Sequence, residues 1–171
     1  MKARPYQEEA FRLTLEAFED VRSALVQMPT GCGKTILFAM LIREFERRGL
    51  GRCMVLAHTR ELVGQAADKI AAVTGVRPDV EMSDQYASEG GIFSSNHCVV
   101  GTWQTQVRGR MRRFKPKDFG LLVIDEAHRA VSSSYRKLID YYQQNERLKT
   151  LCVTATPDRL DGVALGTVVD R

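Results

Sequence analysis

Short runs of uninterrupted apolar residues alternate with longer stretches patterned for helix along most of the chain, and that alternation constrains the fold more than any other feature. The runs lie at residues 23–28, 53–57, 97–101, 121–124 and 149–153, with a shorter one at 79–82. A strand that reads as a continuous apolar run is buried on both faces, and such strands separated by helices belong to a parallel sheet. Between the runs the spacing turns helical. Pro5 opens a helix whose shared face is predicted to carry Tyr6, Ala10, Leu13 and Ala17. Leu37, Leu41 and Phe45 recur every fourth residue in a helix over 33–48, stopped by Gly49. Leu62, Val63, Ala66 and Ile70 mark another over 60–73, ending near Gly75, and further helices are predicted at 102–112 and 134–144. Residues 83–96 carry no pattern that places them, and the pattern weakens after Pro157. The expected fold is α/β: a mostly parallel central sheet with helices on both faces. At 171 residues it is read as one domain over 1–171. Ligands in such sheets sit beyond the carboxyl ends of the strands.

Composition narrows the setting. Hydrophobic residues make up 44% and charged residues 27%, ordinary for a globular protein. No apolar run approaches the roughly 20 residues of a membrane span. The charged opening Met-Lys-Ala-Arg-Pro lacks the apolar core of a secretory signal, so the expected location is cytoplasmic or nuclear, with no membrane partner. A net charge of +4 suits a polyanionic partner without identifying one. Cys32, Cys53, Cys98 and Cys152 show no zinc-ligand spacing, and are read as small hydrophobes in a reducing compartment.

Between the first apolar run and the helix after it lies Met28-Pro-Thr-Gly-Cys-Gly-Lys-Thr35. This matches the phosphate-loop pattern at Gly33, Lys34 and Thr35, with Met28 where the pattern begins with glycine. Thr30, Gly31, Cys32 and Gly33 supply a loop whose N–H groups, with the helix N-terminus, form a concave donor site for phosphate. Lys34 is expected to meet the β and γ phosphates, and the Thr35 hydroxyl a Mg²⁺ ion. A plain glycine turn capping a helix is the competing reading, disfavoured by the adjacent Gly-Lys-Thr.

At the end of the most apolar run, Leu121-Leu-Val-Ile leads into Asp125, Glu126, Ala127 and His128. Two carboxylates beyond a buried strand are costly unless a cation neutralises them, and a nucleotide-bound Mg²⁺ is such a cation. Asp125 is assigned to the metal, and Glu126 to orienting and deprotonating an attacking water. Together with Lys34 these form the expected catalytic set. His128 is read as a hydrogen-bonding link, since Mg²⁺ prefers oxygen ligands.

These residues together resemble helicase superfamily 2. Asp125-Glu-Ala-His128 reads as the DEAH form of the Walker B box. Leu56-Ala-His-Thr-Arg-Glu-Leu62 is similar to motif Ia, Val100-Gly-Thr-Trp-Gln-Thr105 to the motif Ib region, and Thr154-Ala-Thr-Pro157 to motif III. Arg4-Pro-Tyr-Gln7 resembles the upstream element whose glutamine reads adenine. The resemblance implies the first RecA-like, P-loop lobe of an ATPase that couples hydrolysis to unwinding or translocation, with ATP and Mg²⁺ as cofactors. It implies that Gln7, with Arg4 beside it, meets the adenine. It implies that Thr59, Arg60, Gly101, Thr102 and Gln104 meet a nucleic-acid backbone, and that His128, Thr154 and Thr156 couple the two sites. Asp158, Arg159, Asp161 and Gly162 after Pro157 are similar to DNA-directed members, among them restriction-enzyme motor subunits and XPB-like repair helicases. The nucleic-acid partner is therefore expected to be DNA in preference to RNA. An RNA-directed lobe, or a stand-alone nucleotide-binding module without turnover, remain the alternatives.

The family's arginine finger lies in a second RecA-like lobe, and no later Gln-x-x-Gly-Arg-x-x-Arg box follows within these residues. The expectation is weak ATP·Mg²⁺ binding and very slow hydrolysis by this lobe alone, because such a finger is worth about 10³ to 10⁵ in rate. One further feature has two balanced readings. Arg108, Arg110, Arg112, Arg113, Lys115 and Lys117 form a basic run without an acidic residue, which either adds phosphate contacts or is a solvated helix end. Trp103 and Phe114, near it, are read as core.

Overall fold

Each apolar run becomes a strand, and each strand pairs in parallel with its neighbours. The computed structural model describes residues 3–89, 96–127 and 133–155. Its strands are β1 (Ser23–Gln27), β2 (Arg52–Ala57), β3 (Asp79–Glu81), β4 (Cys98–Thr102), β5 (Phe119–Asp125) and β6 (Lys149–Thr154). They form one six-stranded sheet in the order β1-β6-β5-β2-β4-β3. The helices are α1 (Pro5–Asp20), α2 (Lys34–Arg47), α3 (Arg60–Thr74), the short α4 (Trp103–Val107) and α5 (Ser133–Gln143).

Strand side chains alternate between two apolar layers, as the period-two pleat requires. From β2, Cys53, Val55 and Ala57 enter a layer with Leu37, Leu41 and Phe45 of α2 and Val63 and Ile70 of α3. Met54 and Leu56 enter the opposite layer with Tyr135, Leu138, Ile139 and Tyr142 of α5 and with Phe114. Helices thus cover both faces, and every residue of β2 is buried. Cys53, Cys98 and Cys152 are buried free thiols, and burial pushes that of Cys152 up to about 12. Among the described residues no helix is long and apolar enough to cross a membrane.

Two local expectations are corrected. The buried residues of α1 are Gln7, Thr14 and Phe18, while Tyr6 and Leu13 are 40% and 50% exposed. The buried stripe is partly polar because each polar group finds an internal acceptor. The Thr14 hydroxyl donates to the Ala10 carbonyl at 2.7 Å, and Gln7 serves the phosphate loop. A hydrophobic pattern alone cannot register such a stripe. The helix predicted over 102–112 is cut to α4, because Gly109 takes a left-handed φ of 114° and a 3₁₀ turn, Arg110–Arg113, follows it.

Candidate nucleotide site

The loop after β1 and the acidic pair after β5 meet at the carboxyl edge of the sheet, with β6 between them. The Met28 N–H donates to the Thr154 carbonyl at 2.9 Å, which ties the start of the loop to the end of β6. Val153 lies opposite Asp125 in the β5–β6 register. Gly31 and Gly33 hold left-handed φ angles of 82° and 79°, and α2 begins directly after them. Gly33 is favoured by its φ, and a Cβ there would also displace the Gln7 amide from the loop. Thr30 and Gly31 are exposed, while Cys32, Gly33, Lys34 and Thr35 are half-buried.

Lys34 Nζ lies 2.8 Å from Glu126 Oε1, joining residues 92 positions apart in the chain. The lysine side chain is only 10% exposed. Asp125 sits beside this pair and accepts the Glu126 N–H at 3.0 Å. Its carboxyl is held above the usual aspartate value, chiefly by burial. The Lys34 charge opposes that rise and Glu126 adds to it. Glu126 has a φ of 55°, the one non-glycine positive φ among the described residues. Such a conformation is strained for a residue with a Cβ and concentrates at functional sites. Here it turns the chain sharply off the end of β5.

Gln7 and Tyr6 brace the loop from α1. Gln7 Nε2 donates to the Cys32 carbonyl at 2.9 Å, and the Tyr6 hydroxyl donates to the same carbonyl at 3.0 Å. Gln7 Oε1 accepts the Arg4 N–H at 2.9 Å, and Arg4 Nη1 donates to the Tyr6 hydroxyl at 3.2 Å. Gln7 is 5% exposed, so both ends of its amide face protein partners in this structure. His128 and Thr156 lie outside the described residues, and Thr154 is fully buried at the end of β6.

Residues 1–159 match the family described as type III restriction enzyme, res subunit. The chain belongs to that family. Among relatives of this chain, IRC3 of Saccharomyces cerevisiae is 28% identical over 178 residues, covering 98% of the chain and 25% of IRC3. The ATP-dependent DNA helicase MPH1 of Candida glabrata is 32% identical over 152 residues, covering 82% of the chain and 14% of MPH1. The chain therefore spans a quarter or less of these two relatives. Among solved structures, the Hef helicase domain of Pyrococcus furiosus superposes with a TM-score of 0.75 at 26% identity, covering 98% of this chain and 36% of that one. The parallel α/β architecture of this chain is thus the helicase RecA-like one.

The residues that the family resemblance assigns to nucleic acid lie on the same carboxyl edge, after β2 and at or just after the end of β4. The Thr59 hydroxyl caps α3 by accepting the Leu62 N–H at 3.2 Å. Arg60 is exposed, and its guanidinium grips the Asp84 carboxylate at 2.6 and 2.7 Å. Gly101 and Thr102 are buried, and the Thr102 hydroxyl caps α4 at Thr105. Gln104 Nε2 donates to the His58 carbonyl at 3.0 Å. Sequence reasoning passed over His58, whose Nδ1 accepts the Trp103 indole N–H at 3.1 Å. Trp103 in turn stacks on Tyr135 with centroids 4.9 Å apart. The end of β2, α4 and α5 are thereby linked through one aromatic stack. Phe114 is fully buried, as its reading as core requires, and Trp103 packs against the same layer.

Sequence reasoning also passed over Glu81. It is fully buried and receives Arg110 at 2.8 Å and Arg113 at 2.9 Å. Neither balanced reading of the basic run covers these two arginines, which turn inward instead of meeting solvent. The signal was one of spacing: Arg110 and Arg113 are three apart and so share a side of their turn.

Proposed function

We infer that this chain is the ATP-binding lobe of a motor that couples ATP hydrolysis to movement along, or unwinding of, DNA. The observation that carries this reading is the approach of Lys34 to Glu126 at 2.8 Å, with the buried Asp125 beside them at the rim of a parallel sheet. An ammonium, two carboxylates and a glycine loop opening a helix are the donor set that a magnesium–triphosphate needs. Asp125, pushed toward its neutral form by burial, is the group a hard divalent cation would stabilise as the anion, and Thr35 in the first turn of α2 offers the hydroxyl oxygen. When bound, Mg²⁺ would supply charge to stabilise the transferring phosphoryl group.

In this reading Lys34 leaves Glu126 for the phosphates, which frees the Glu126 carboxylate to orient and accept a proton from water. Gln7 and Tyr6 hold the Cys32 carbonyl, with Arg4 donating to both of them, and so fix the loop, and the Gln7 amide is the adenine reader once it is released from Arg4 and Cys32. His128, Thr154 and Thr156 would couple the sites. Thr59, Arg60 and Gln104 would line the track for the backbone, with the buried Gly101 and Thr102 shaping its floor and Arg60 exposed to meet phosphate. DNA is favoured because the MPH1 relative is a DNA helicase by name. A second RecA-like lobe would supply the arginine finger.

The test is binding of a fluorescent ATP analogue with Mg²⁺, and ATPase assays with DNA and with RNA. Lys34→Ala is expected to weaken binding at least tenfold. The chain alone should turn over very slowly with either polymer. Unchanged affinity in Lys34→Ala would sink the nucleotide reading, and stimulation by RNA alone would reverse the choice of polymer.

A further inference from the structure

Tyr86 is 66% exposed, the most exposed of the large hydrophobic side chains among the described residues. It is nevertheless not loosely held. Arg110 Cζ lies 3.9 Å and Arg113 Cζ 4.9 Å from its ring centroid. Both guanidiniums are fixed in turn by the buried Glu81. Arg110 also donates to the carbonyls of Ser83 at 2.7 Å and Gln85 at 3.0 Å, and Arg113 to that of Ala87 at 3.3 Å. The Ala87 N–H donates to Glu81 Oε2 at 2.7 Å, closing the segment on the same carboxylate. Two cation–π contacts therefore hold an aromatic ring out at the surface, where hydrophobic burial would not place it.

Glu81 pairs with Gly101 in the β3–β4 register, so the segment leaves the sheet at its carboxyl edge beside Thr102. From the start of α3, Arg60 reaches the same segment at Ser83 and Asp84. Arg108 and Arg112 are exposed on the neighbouring turn. A planar, rigid, solvent-facing ring bordered by cations has the chemistry of a stacking platform for single-stranded nucleic acid, in which bases lie on aromatic faces and arginines meet phosphates.

We propose that Tyr86 is a base-stacking subsite for one unpaired nucleobase of a bound single strand. The proposal rests on the nucleic-acid reading above and adds a contact to the base where Arg60 contacts only backbone.

The test compares the affinity of the chain for a thymidine 20-mer and for an abasic strand of the same length, by fluorescence anisotropy. Wild type is expected to prefer the strand with bases by roughly tenfold. Tyr86→Ala should lose that preference while keeping its affinity for the abasic strand, and Tyr86→Phe should retain it. Arg60→Ala should weaken both strands alike. A Tyr86→Ala chain that still prefers bases as strongly as wild type overturns the subsite and leaves the backbone track standing. A wild-type chain that binds neither strand overturns the nucleic-acid reading and the subsite together. Near-UV circular dichroism of the Trp103–Tyr135 stack confirms that each variant is folded.

Discussion

Glu81 and Glu126 stand at equivalent places, one at the carboxyl end of β3 and the other just past the carboxyl end of β5, and each faces basic side chains. Their surroundings differ. Glu81 is sealed from solvent and shared between two arginines and a backbone N–H. Glu126 is 26% exposed, meets a lysine from the glycine loop, and sits on strained backbone. The first arrangement has no room for a ligand and fixes the fold around it. The second opens to solvent and can exchange its partner for another. Burial and partner count, more than the presence of an ion pair, separate a carboxylate that builds from one that can work.

The comparison breaks most sharply at the first of these. Glu81→Gln leaves two guanidiniums facing a neutral amide, and removing one member of a buried pair costs about 3–5 kcal/mol. Glu126→Gln, at a half-open pair, should change stability by no more than about 1 kcal/mol. Urea unfolding of both variants measures the difference. Equal costs would mean that the two carboxylates do the same work. A smaller effect is expected from Gly101→Ala, whose new Cβ would lie 2.8 Å from the Glu81 carbonyl oxygen. That contact forces β3 off β4 and should cost about 1–3 kcal/mol, read in the same unfolding experiment.

Much of the candidate nucleotide site was legible in the sequence because its proposed chemistry is contiguous. Gly33-Lys-Thr35 and Asp125-Glu126 each carry their proposed role within a few residues, and the apolar runs before them place both at strand ends. The surroundings of Glu81 were not legible. Its partners lie 29 and 32 positions away, and a periodicity argument assigns charged residues to solvent by default. The same default misplaced the face of α1, where Gln7 is buried because the Cys32 carbonyl needs a donor. Residues 83–96 lacked a pattern for a related reason. The described part, up to residue 89, is held by side chains from elsewhere and not by a periodic face of its own.

The candidate nucleotide site responds to pH in a way that can be measured. Burial raises the folded-state pKa of Asp125 above its ordinary value, so the folded state favours the protonated form. The stability this contributes is fully present below the unfolded pKa of about 4 and is lost as pH rises through the folded one. At neutral pH the ionised carboxylate is therefore a liability in the absence of a cation. Asp125→Asn keeps an oxygen to accept the Glu126 N–H and removes the charge. The variant should unfold at higher urea than wild type at pH 7, with the gap closing toward pH 3.5. A variant less stable at pH 7 would mean that Lys34 outweighs burial, and that the site is already neutralised without a metal.

The smallest effect is expected where the two regions meet, at Arg60 and Asp84. Both side chains are 59% exposed, and the pair closes at 2.6 Å. Exposed pairs of this kind are worth about 0–1 kcal/mol, since water screens the charges and two side chains lose freedom to meet. Asp84→Asn should therefore leave the unfolding midpoint nearly unchanged, and any loss should vanish in 1 M salt. Its consequence for binding has the opposite sign. If Arg60 meets phosphate, Asp84 competes for the same guanidinium, and its removal should tighten binding of a single strand about two- to fivefold at low salt. Weaker binding in Asp84→Asn would show instead that the carboxylate aims the guanidinium at the strand, as a structural partner in the manner of Glu81.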